Sequence, residues 1–195
     1  MLEIVLILIA SYLLGSFPTA LVVGKFGYGV DIREQGSGNL GGTNSFRVLG
    51  WKAGMAVSVV DVLKGTLAAL LPWLFGVADL HPLWAGLPAV LGHCYPIFAG
   101  FRGGKAVATA GGVVLAIDPL LFLIAVVVFF LTLYLWKYVS LASMVAGVVA
   151  HLYAILLLDK WMSLGTFALC LFVMYRHREN VERITKGSER RITWM

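Results

Sequence analysis

The chain has 195 residues, of which 60% are apolar and 13% are charged, and its mean hydropathy is +0.90. Soluble domains usually carry about 45–50% apolar and about 25% charged residues, and a chain of this length is too short to bury the surplus in several cores. Disordered chains combine low hydrophobicity with high charge, which is the opposite pattern. The composition therefore predicts a polytopic all-α membrane protein, with residues 1–195 forming a single transmembrane domain.

Apolar runs punctuated by Gly, Pro and charged residues predict about seven transmembrane helices, because a helix needs about 20 apolar residues to cross a bilayer. The predicted helices cover residues 2–23, 48–77, 83–98, 106–117, 120–136, 139–158 and 161–175. The fourth is too short for a full crossing, so we expect a half-helix packed inside the protein. Counts of five or six are the alternatives, but seven sorts the charges most cleanly. Because the first run lacks the basic residues of a signal peptide, we expect it to be retained as a helix.

The cations of the chain fall almost entirely on one side of this arrangement. Of the 15 Lys and Arg residues, all but Lys64 and Lys160 lie in or beside residues 24–47, 101–105, 137–138 and the tail after residue 175. The other side carries Glu3, Asp79, Asp118 and Asp159. Lys and Arg flanking membrane spans mark the cytoplasmic side. We therefore predict an extracytoplasmic N-terminus and a cytoplasmic C-terminus.

Residues 37–47 form a polar, Gly-rich segment on the predicted cytoplasmic side. Glycine lets successive backbone N–H groups converge on an anion, and Ser, Thr, Asn and Arg side chains add donors suited to phosphate. The following helix favours a negative ligand at its N-terminus. A flexible connector is the alternative, but it needs neither two Asn nor a terminal Arg. The candidate ligands are Ser37, Gly38, Asn39, Gly41, Gly42, Thr43, Asn44 and Arg47.

A second Gly-rich cationic segment, residues 92–105, follows the third predicted helix. It is not a P-loop, because Ala106 follows Lys105 where that motif requires Ser or Thr. Arg102-Gly103-Gly104-Lys105 alone is a weak signal, and it gains weight from lying on the same predicted face as the first segment. The candidate ligands are His93, Gly103, Gly104 and Lys105.

Polar residues near the C-terminal helices complete the set of candidates. Ser140 and Ser143 share a helix face, although Ser140 also suits a helix cap. His177 and Asn180 share a face if the last helix continues, although a His at a membrane surface can be inert. Asp61 and Lys64 lie inside the second helix, where they are either a functional pair or a self-neutralising structural one. Cys94 and Cys170 lie in apolar surroundings and are expected to be buried thiols.

These segments, in this order, resemble the bacterial acyl-phosphate:glycerol-3-phosphate acyltransferase family. Its pattern S-G-N-x-G-[AG]-x-N-x-x-R matches residues 37–47, and G-H-x-[YF]-P-x-F-x-x-F-x-G-G-K matches residues 92–105. A Y-x-S-L segment matches residues 138–141, and H-x-x-N-x-x-R matches residues 177–183. Ala106 stands where the family often has Gly, which bears only on local backbone freedom.

The resemblance implies transfer of a fatty acyl group from acyl phosphate to glycerol 3-phosphate, giving 1-acylglycerol 3-phosphate (lysophosphatidic acid) and phosphate. That reaction is the entry step of bacterial phospholipid synthesis. It implies a multi-pass protein of the bacterial inner membrane, with the active site facing the cytoplasm. We expect no cofactor, no metal and no nucleic-acid partner, contact with membrane lipid, and a monomer.

We expect direct attack by the glycerol hydroxyl, since acyl phosphate already carries a good leaving group. The expected catalytic residues are Ser37, Asn44, Arg47, Lys105 and His177. The general base is either His177 or the phosphate of the substrate, because the H-x-x-x-x-D pair of other glycerolipid acyltransferases is missing from the sequence. The alternative function is a small organophosphate or anion transporter using Asp61 and Lys64, although the chain lacks an internal repeat.

Overall fold

The computed structural model describes residues 1–77, 79–157 and 159–192, and the helices account for most of them. They are α1 (Leu2–Ser16), α2 (Thr19–Val22), α3 (Gly42–Val48), α4 (Trp51–Leu74), α5 (Pro82–Cys94), α6 (Val107–Ile117), α7 (Pro119–Trp136), α8 (Val139–Leu156), α9 (Lys160–Arg176) and α10 (Arg178–Thr185). A π-helical turn, Val23–Gly27, continues α2, and 3-10 turns cover Ile32–Glu34 and Ile97–Ala99. No strand occurs in the described part of the chain.

Four helical segments are long and apolar enough to cross a membrane: Leu2–Gly27, Trp51–Leu74, Pro119–Trp136 and Val139–Leu156. Val107–Ile117 is a shorter apolar helix, as expected of the fourth predicted segment. Large apolar side chains of α7, including Leu123, Val127 and Leu131, are more than half exposed, which suits contact with lipid tails. The molecule is an all-helical membrane protein.

The observed boundaries differ from the predicted ones where polar segments interrupt an apolar run. The first predicted helix breaks at Phe17, because Pro18 restricts the backbone of the residue before it. The predicted 48–77 helix begins at Trp51, and a separate short helix, α3, precedes it. The predicted 83–98 helix ends at Cys94, one residue before the Tyr95-Pro96 step. The predicted end of the sixth helix, Leu158, lies outside the described residues.

The chain divides into two compact units, Met1–Ile117 and Asp118–Met195. In the first unit, α4 and α6 approach closely because both helices carry glycine at the contact. A Cβ at Gly65 would collide with the Thr109 carbonyl, and one at Gly112 would collide with the Val62 carbonyl. The Thr66 hydroxyl of α4 also donates a hydrogen bond to the Gly112 carbonyl (2.9 Å). Small residues at such contacts are what lets helices pack in membranes, where the hydrophobic effect between helices is weak.

In the second unit, α8 packs against both α7 and α9. Asp118 and Asp159 cap α7 and α9 by accepting hydrogen bonds from the Leu121 and Met162 backbone N–H groups (3.0 and 2.9 Å). Carboxylates favour this position because they satisfy unpaired N–H groups and complement the helix dipole. The helix α9 ends at Arg176, and α10 begins at Arg178 after a break at His177.

Candidate active site

The segment before α3 is held in place by an ion cluster and by two buried apolar side chains. Asp31 accepts hydrogen bonds from the Arg33 guanidinium (2.6 Å) and lies 3.3 Å from the Lys25 ammonium. The hydrogen bond from Arg33 holds the pKa of Asp31 well below its usual range, so this carboxylate stays ionised. Ile32 and Leu40 pack into a cluster with Ala53 and Val57 of α4. The loop between them is therefore attached to the membrane helices at both ends.

Asn44 connects the two ends of this loop and is itself 2% exposed. Its amide nitrogen donates to the carbonyls of Ile32 (3.3 Å) and Gln35 (3.1 Å), and its oxygen accepts from the Ser37 backbone N–H (2.9 Å). Both amide hydrogens are thus used inside the protein. A direct contact of the Asn44 amide with substrate phosphate, as predicted from the sequence, would have to replace one of these two hydrogen bonds.

Other predicted ligands of the loop face outwards. Ser37, Thr43 and Arg47 are exposed, and Asn39 is half-buried and donates to the Ser37 hydroxyl (3.4 Å). Gly38 has a φ of +70°, a conformation that glycine adopts without strain. A Cβ at Gly42 would collide with the Ser58 hydroxyl of α4, so that glycine serves a close approach between α3 and α4. The outer surface of the loop is lined by hydroxyl, amide and guanidinium donors.

The second Gly-rich segment folds back over the end of α5 and meets the first loop. Gly104 donates its N–H to the His93 carbonyl (3.1 Å), and a Cβ there would collide with the His93 ring and lie 3.1 Å from the Leu40 carbonyl. A Cβ at Gly103 would collide with the His93 carbonyl. Lys105, which follows these two glycines, is half-buried. Within the first unit the structure thus brings the two predicted phosphate-binding segments together at Leu40 and Gly104.

His93 itself is 5% exposed and faces a buried polar cluster rather than the surface. Its Nδ1 lies 3.7 Å from Asp61 Oδ1, which also accepts hydrogen bonds from Lys64 (2.8 Å) and Thr19 (3.0 Å). Lys64 also donates to the Phe17 carbonyl (3.2 Å) at the break between α1 and α2. Asp61 and Lys64 compensate each other's charge inside the protein and connect three helices. This arrangement supports the structural interpretation of the pair and removes the main argument for a transporter.

Two of the predicted ligands in the second unit, Ser140 and Asn180, donate to the same carboxylate. Glu189 accepts hydrogen bonds from the Ser140 hydroxyl (2.8 Å), the Asn180 amide (2.6 Å) and Arg183 Nε (2.8 Å). Burial raises the pKa of Glu189, but the hydrogen bonds from Asn180, Arg183 and Ser140 outweigh it and lower the pKa overall. The carboxylate is therefore ionised at neutral pH.

His177 and Ser143 make backbone contacts. Because a carbonyl oxygen can only accept, the 2.8 Å contact between His177 Nδ1 and the Val173 carbonyl places a proton on Nδ1. The neutral ring then presents Nε2 as its acceptor, as a general base requires. Ser143 donates to the Val139 carbonyl (2.9 Å), and its hydroxyl oxygen can still accept. Both side chains are buried.

Sequence reasoning missed Glu189 and the link between Asp61 and His93. Glu189 lies in a polar tail with eight other charged residues after position 175, and the hydrogen bonds that single it out come from α8 and α10. His93 and Asp61 are 32 positions apart, so no spacing rule relates them. The sequence contains one general indication of the contact between Asp61 and His93: a buried carboxylate such as Asp61 needs polar partners.

No group of three or more His, Cys, Asp and Glu side chains that could hold a metal ion occurs among the described residues.

An all-helical membrane fold with two convergent Gly-rich loops and several phosphate-type donors defines an integral membrane enzyme that acts on phosphorylated substrates. The comparisons with known proteins give its family. The family model for glycerol-3-phosphate acyltransferase matches residues 5–187, and the chain belongs to that family.

Relatives of known name are similar over nearly their whole length. The glycerol-3-phosphate acyltransferase of Bacillus cereus (strain G9842) is 59% identical over 184 residues, which cover 94% of this chain and 92% of the relative. The glycerol-3-phosphate acyltransferase of Bacillus subtilis (strain 168) is 54% identical over 192 residues, which cover 98% and 99%.

Two solved structures share the fold. Both are crystal structures of PlsY (YgiH), an integral membrane glycerol 3-phosphate acyltransferase. The glycerol 3-phosphate form has a TM-score of 0.90 at 40% identity and covers 97% of this chain and 95% of that chain. The lysophosphatidic acid form has a TM-score of 0.88 at 39% identity, with the same coverage. The predicted resemblance is confirmed.

Proposed function

We propose that the protein transfers a fatty acyl group from acyl phosphate to glycerol 3-phosphate. The glycerol hydroxyl oxygen attacks the acyl carbonyl carbon, the bond from that carbon to the phosphate oxygen breaks, and the base, either His177 or the phosphate of the substrate, takes the hydroxyl proton. The products are 1-acylglycerol 3-phosphate and inorganic phosphate. Because phosphate is a good leaving group, the attack can be direct and no covalent enzyme intermediate is needed. The family membership supports the acyltransferase chemistry, and the solved relatives crystallised with glycerol 3-phosphate and lysophosphatidic acid support the acceptor and the product.

The observation that carries this proposal is the meeting of the two Gly-rich loops at Leu40 and Gly104. Both reactants carry phosphates, and a site for them needs donors from more than one segment. Here the exposed donors of residues 37–47 and the cation at Lys105 come from loops that are in contact. Oriented N–H groups and cations stabilise a charge that develops in the transition state, which is commonly the largest contribution to catalysis.

We assign the donor side of the reaction to the first loop. Ser37, Asn39 and Arg47 are the side chains that would bind the acyl phosphate and the departing phosphate, with Gly38, Gly41, Gly42 and Thr43 contributing backbone or hydroxyl contacts. Asn44 keeps its place in the site as a positioning residue, because its hydrogen bonds fix the backbone at Ser37. His93 is likewise proposed to act through the Gly103-Gly104 backbone that it contacts.

The family motifs that contain Lys105, Ser140, His177 and Asn180 support these four residues as ligands of glycerol 3-phosphate, and Ser143, which shares the helix face of Ser140, completes the proposed set. The base is His177 or the phosphate of the substrate. The proton on His177 Nδ1 favours a ring whose Nε2 can accept from the glycerol hydroxyl, and the second pKa of a phosphate monoester, near ~6, makes the substrate itself a comparable base.

We also propose seven membrane helices, an extracytoplasmic N-terminus and an active site on the cytoplasmic side of the bacterial inner membrane, with the protein acting as a monomer. The distribution of Lys and Arg supports this orientation. Acyl phosphate could then reach the first loop from the cytoplasmic leaflet.

The test is a transfer assay with purified protein, palmitoyl phosphate and labelled glycerol 3-phosphate. We expect labelled lysophosphatidic acid from palmitoyl phosphate, none from palmitoyl thioester, and activity that survives EDTA. In the same assay, His177→Gln should lower turnover at saturating glycerol 3-phosphate by about 10²-fold or more if the ring is the base. Near-normal turnover would assign the base to the substrate phosphate, and the lack of any lipid product from the wild type would refute the proposal.

A further inference from the structure

The carboxylate of Glu189 is the centre of a hydrogen-bond network that joins two helices of the second unit. Its side chain is 9% exposed. One oxygen accepts from Ser140 at the start of α8 and from Asn180 in the first turn of α10, and the other oxygen accepts from Arg183. Hydrogen bonds to an ionised acceptor are shorter and stronger than neutral ones, so these three contacts fix the donors as well as the acceptor.

The backbone fixes Glu189 on both sides. Before it, Gly187 has a φ of +68°, and the N–H groups of Ser188 and Glu189 donate to the Arg183 carbonyl (2.8 and 3.1 Å). After it, Arg191 donates to the Tyr138 hydroxyl (3.1 Å), and the Ile192 N–H donates to the Lys137 carbonyl (2.9 Å). The tail is therefore a fixed element of the fold and not a loosely attached run of charge.

We infer that Glu189 is a positioning residue for the acceptor substrate: it holds Ser140 and Asn180 in the geometry that glycerol 3-phosphate requires. This inference rests on the proposed function, in which both of those side chains stand at the acceptor site. Asn180 is also joined through its backbone N–H to the His177 carbonyl (2.8 Å) at the break between α9 and α10. A shift of Asn180 therefore changes the position of His177 as well.

The network also assigns a role to Arg183. Its Nε points to the Glu189 carboxylate, and its Nη1 lies 3.9 Å from the Glu179 carboxylate. Its charge is balanced by these two acids, so Arg183 stabilises Glu189. A pseudosubstrate role for Glu189, in which its carboxylate occupies the place of a phosphate and must leave, conflicts with the backbone contacts on both sides of it.

The test compares Glu189→Gln with Glu182→Gln in the transfer assay. Glutamine in place of Glu189 would keep the shape but lose the charge, and its amide group would face other donors. Glu182 is a matched control on α10, because its carboxylate is exposed and pairs with Lys186 one turn further along. We expect Glu189→Gln to raise the KM for glycerol 3-phosphate by about 10- to 100-fold. The KM for palmitoyl phosphate should stay within about twofold, and Glu182→Gln should match the wild type in both.

A purely structural role would lower melting temperature and turnover without separating the two KM values, and this result would overturn the inference. A higher affinity for glycerol 3-phosphate in Glu189→Gln would overturn it too, in favour of the pseudosubstrate role. If Glu189→Gln does not yield folded protein, Glu189→Asp takes its place, because it keeps the charge but shortens the side chain. An unchanged KM for glycerol 3-phosphate in Glu189→Asp would overturn the inference.

Protection of the protein from thermal unfolding by glycerol 3-phosphate separates this inference from the proposed function. A wild type that makes no lipid but is protected by glycerol 3-phosphate refutes the acyl transfer alone. The inference then stands if Glu189→Gln needs about tenfold more ligand for the same protection, and falls if the two curves coincide. A wild type that is neither active nor protected refutes both.

Discussion

Asn39 and Asn44 lie five residues apart in one loop, but they make different kinds of contact. Asn44 is buried and donates both amide hydrogens to backbone carbonyls of the loop. Asn39 is half-buried and donates to the neighbouring Ser37 hydroxyl. Replacing a buried donor leaves the carbonyl groups that it bonded without a hydrogen-bond partner, which costs stability. A donor at the surface can be replaced without that cost, because water can take its place. The same residue type therefore serves the fold at one position and the proposed substrate at the other.

We predict that Asn44→Asp destabilises the protein by at least about 2 kcal/mol, because it turns two donors into a carboxylate facing the Ile32 and Gln35 carbonyls. Asn39→Asp should change stability by less than about 0.5 kcal/mol but lower the transfer rate by about 10²-fold, since its charge would repel a phosphate. Thermal unfolding in detergent and the transfer assay measure the two effects. Equal stability of the two variants would contradict the assigned contacts.

Ala106 occupies a backbone conformation that its side chain disfavours. Its φ is +56°, and it is buried directly after Lys105, at the position where the family often has Gly. For a residue with a Cβ, the left-handed region costs about 1–2 kcal/mol. The departure from the family pattern noted in the sequence thus falls at a site of local strain.

We predict that Ala106→Gly leaves stability unchanged or raises it by up to about 1 kcal/mol, because the relief of strain exceeds the extra backbone entropy of glycine. Ala110→Gly is the matched control, since it is one turn further along in regular α6 and should cost about 1 kcal/mol. Relative to the wild type, the melting temperature should stay the same or rise in Ala106→Gly and should fall in Ala110→Gly. A loss in Ala106→Gly as large as that in Ala110→Gly would show that the conformation at residue 106 carries no strain.

Helix contacts in the two units tolerate side chains to different degrees. Between α4 and α6, Gly112 faces the backbone of Val62 and Thr66 without room for a Cβ. Between α8 and α9, a Cβ at Gly147 would lie 3.8 Å from Cys170 Sγ, an ordinary packing distance. Backbone atoms cannot move away as a flexible side chain can, so the first contact depends on glycine and the second does not.

Gly112→Ala is therefore expected to destabilise the protein by about 1–3 kcal/mol, because α4 and α6 must separate and the Thr66 hydrogen bond to residue 112 weakens. Gly147→Ala should be neutral or stabilising by up to about 1 kcal/mol. Both changes add one methyl group inside a membrane helix, so melting temperatures in the same detergent compare them directly. A similar loss in both variants would argue against close packing at Gly112 as the cause.

The long apolar helices could be predicted from the sequence because long apolar runs determine them, and the two Gly-rich loops because their residue types are distinctive. The break at Phe17 and the start at Trp51 were missed, since apolar side chains continue across both. The roles of Asn44, Asp61 and Glu189 depend on partners from other segments. Local patterns contain no information about such partners, so the sequence could not show that Asn44 donates to the loop backbone or that His93 is buried beside Asp61.

In the proposed topology of seven membrane helices, almost all Lys and Arg residues of the chain fall on one side of the membrane. Lys25, Arg33 and Arg47 lie within residues 24–47, and six Lys and Arg residues follow position 175. The two cations outside this pattern are Lys64 and Lys160, and the structure explains the first, because Lys64 is paired with Asp61 inside the protein. An internally compensated cation has little influence on orientation, which leaves Lys160 beside Asp159 as the one exposed exception in the described chain.

This distribution predicts which single cysteines a membrane-impermeant maleimide reaches in intact cells whose outer barriers are removed. Asp79→Cys should be labelled from outside, whereas Gly27→Cys and Glu182→Cys should be labelled only after the membrane is opened. All three positions are exposed, and the native Cys94 and Cys170 are buried, so they give little background. Labelling of Glu182→Cys in intact cells would place the tail outside and exclude a cytoplasmic acceptor site. Labelling of Gly27→Cys there would do the same for the first loop, and the proposed access of acyl phosphate from the cytoplasmic leaflet would then fail.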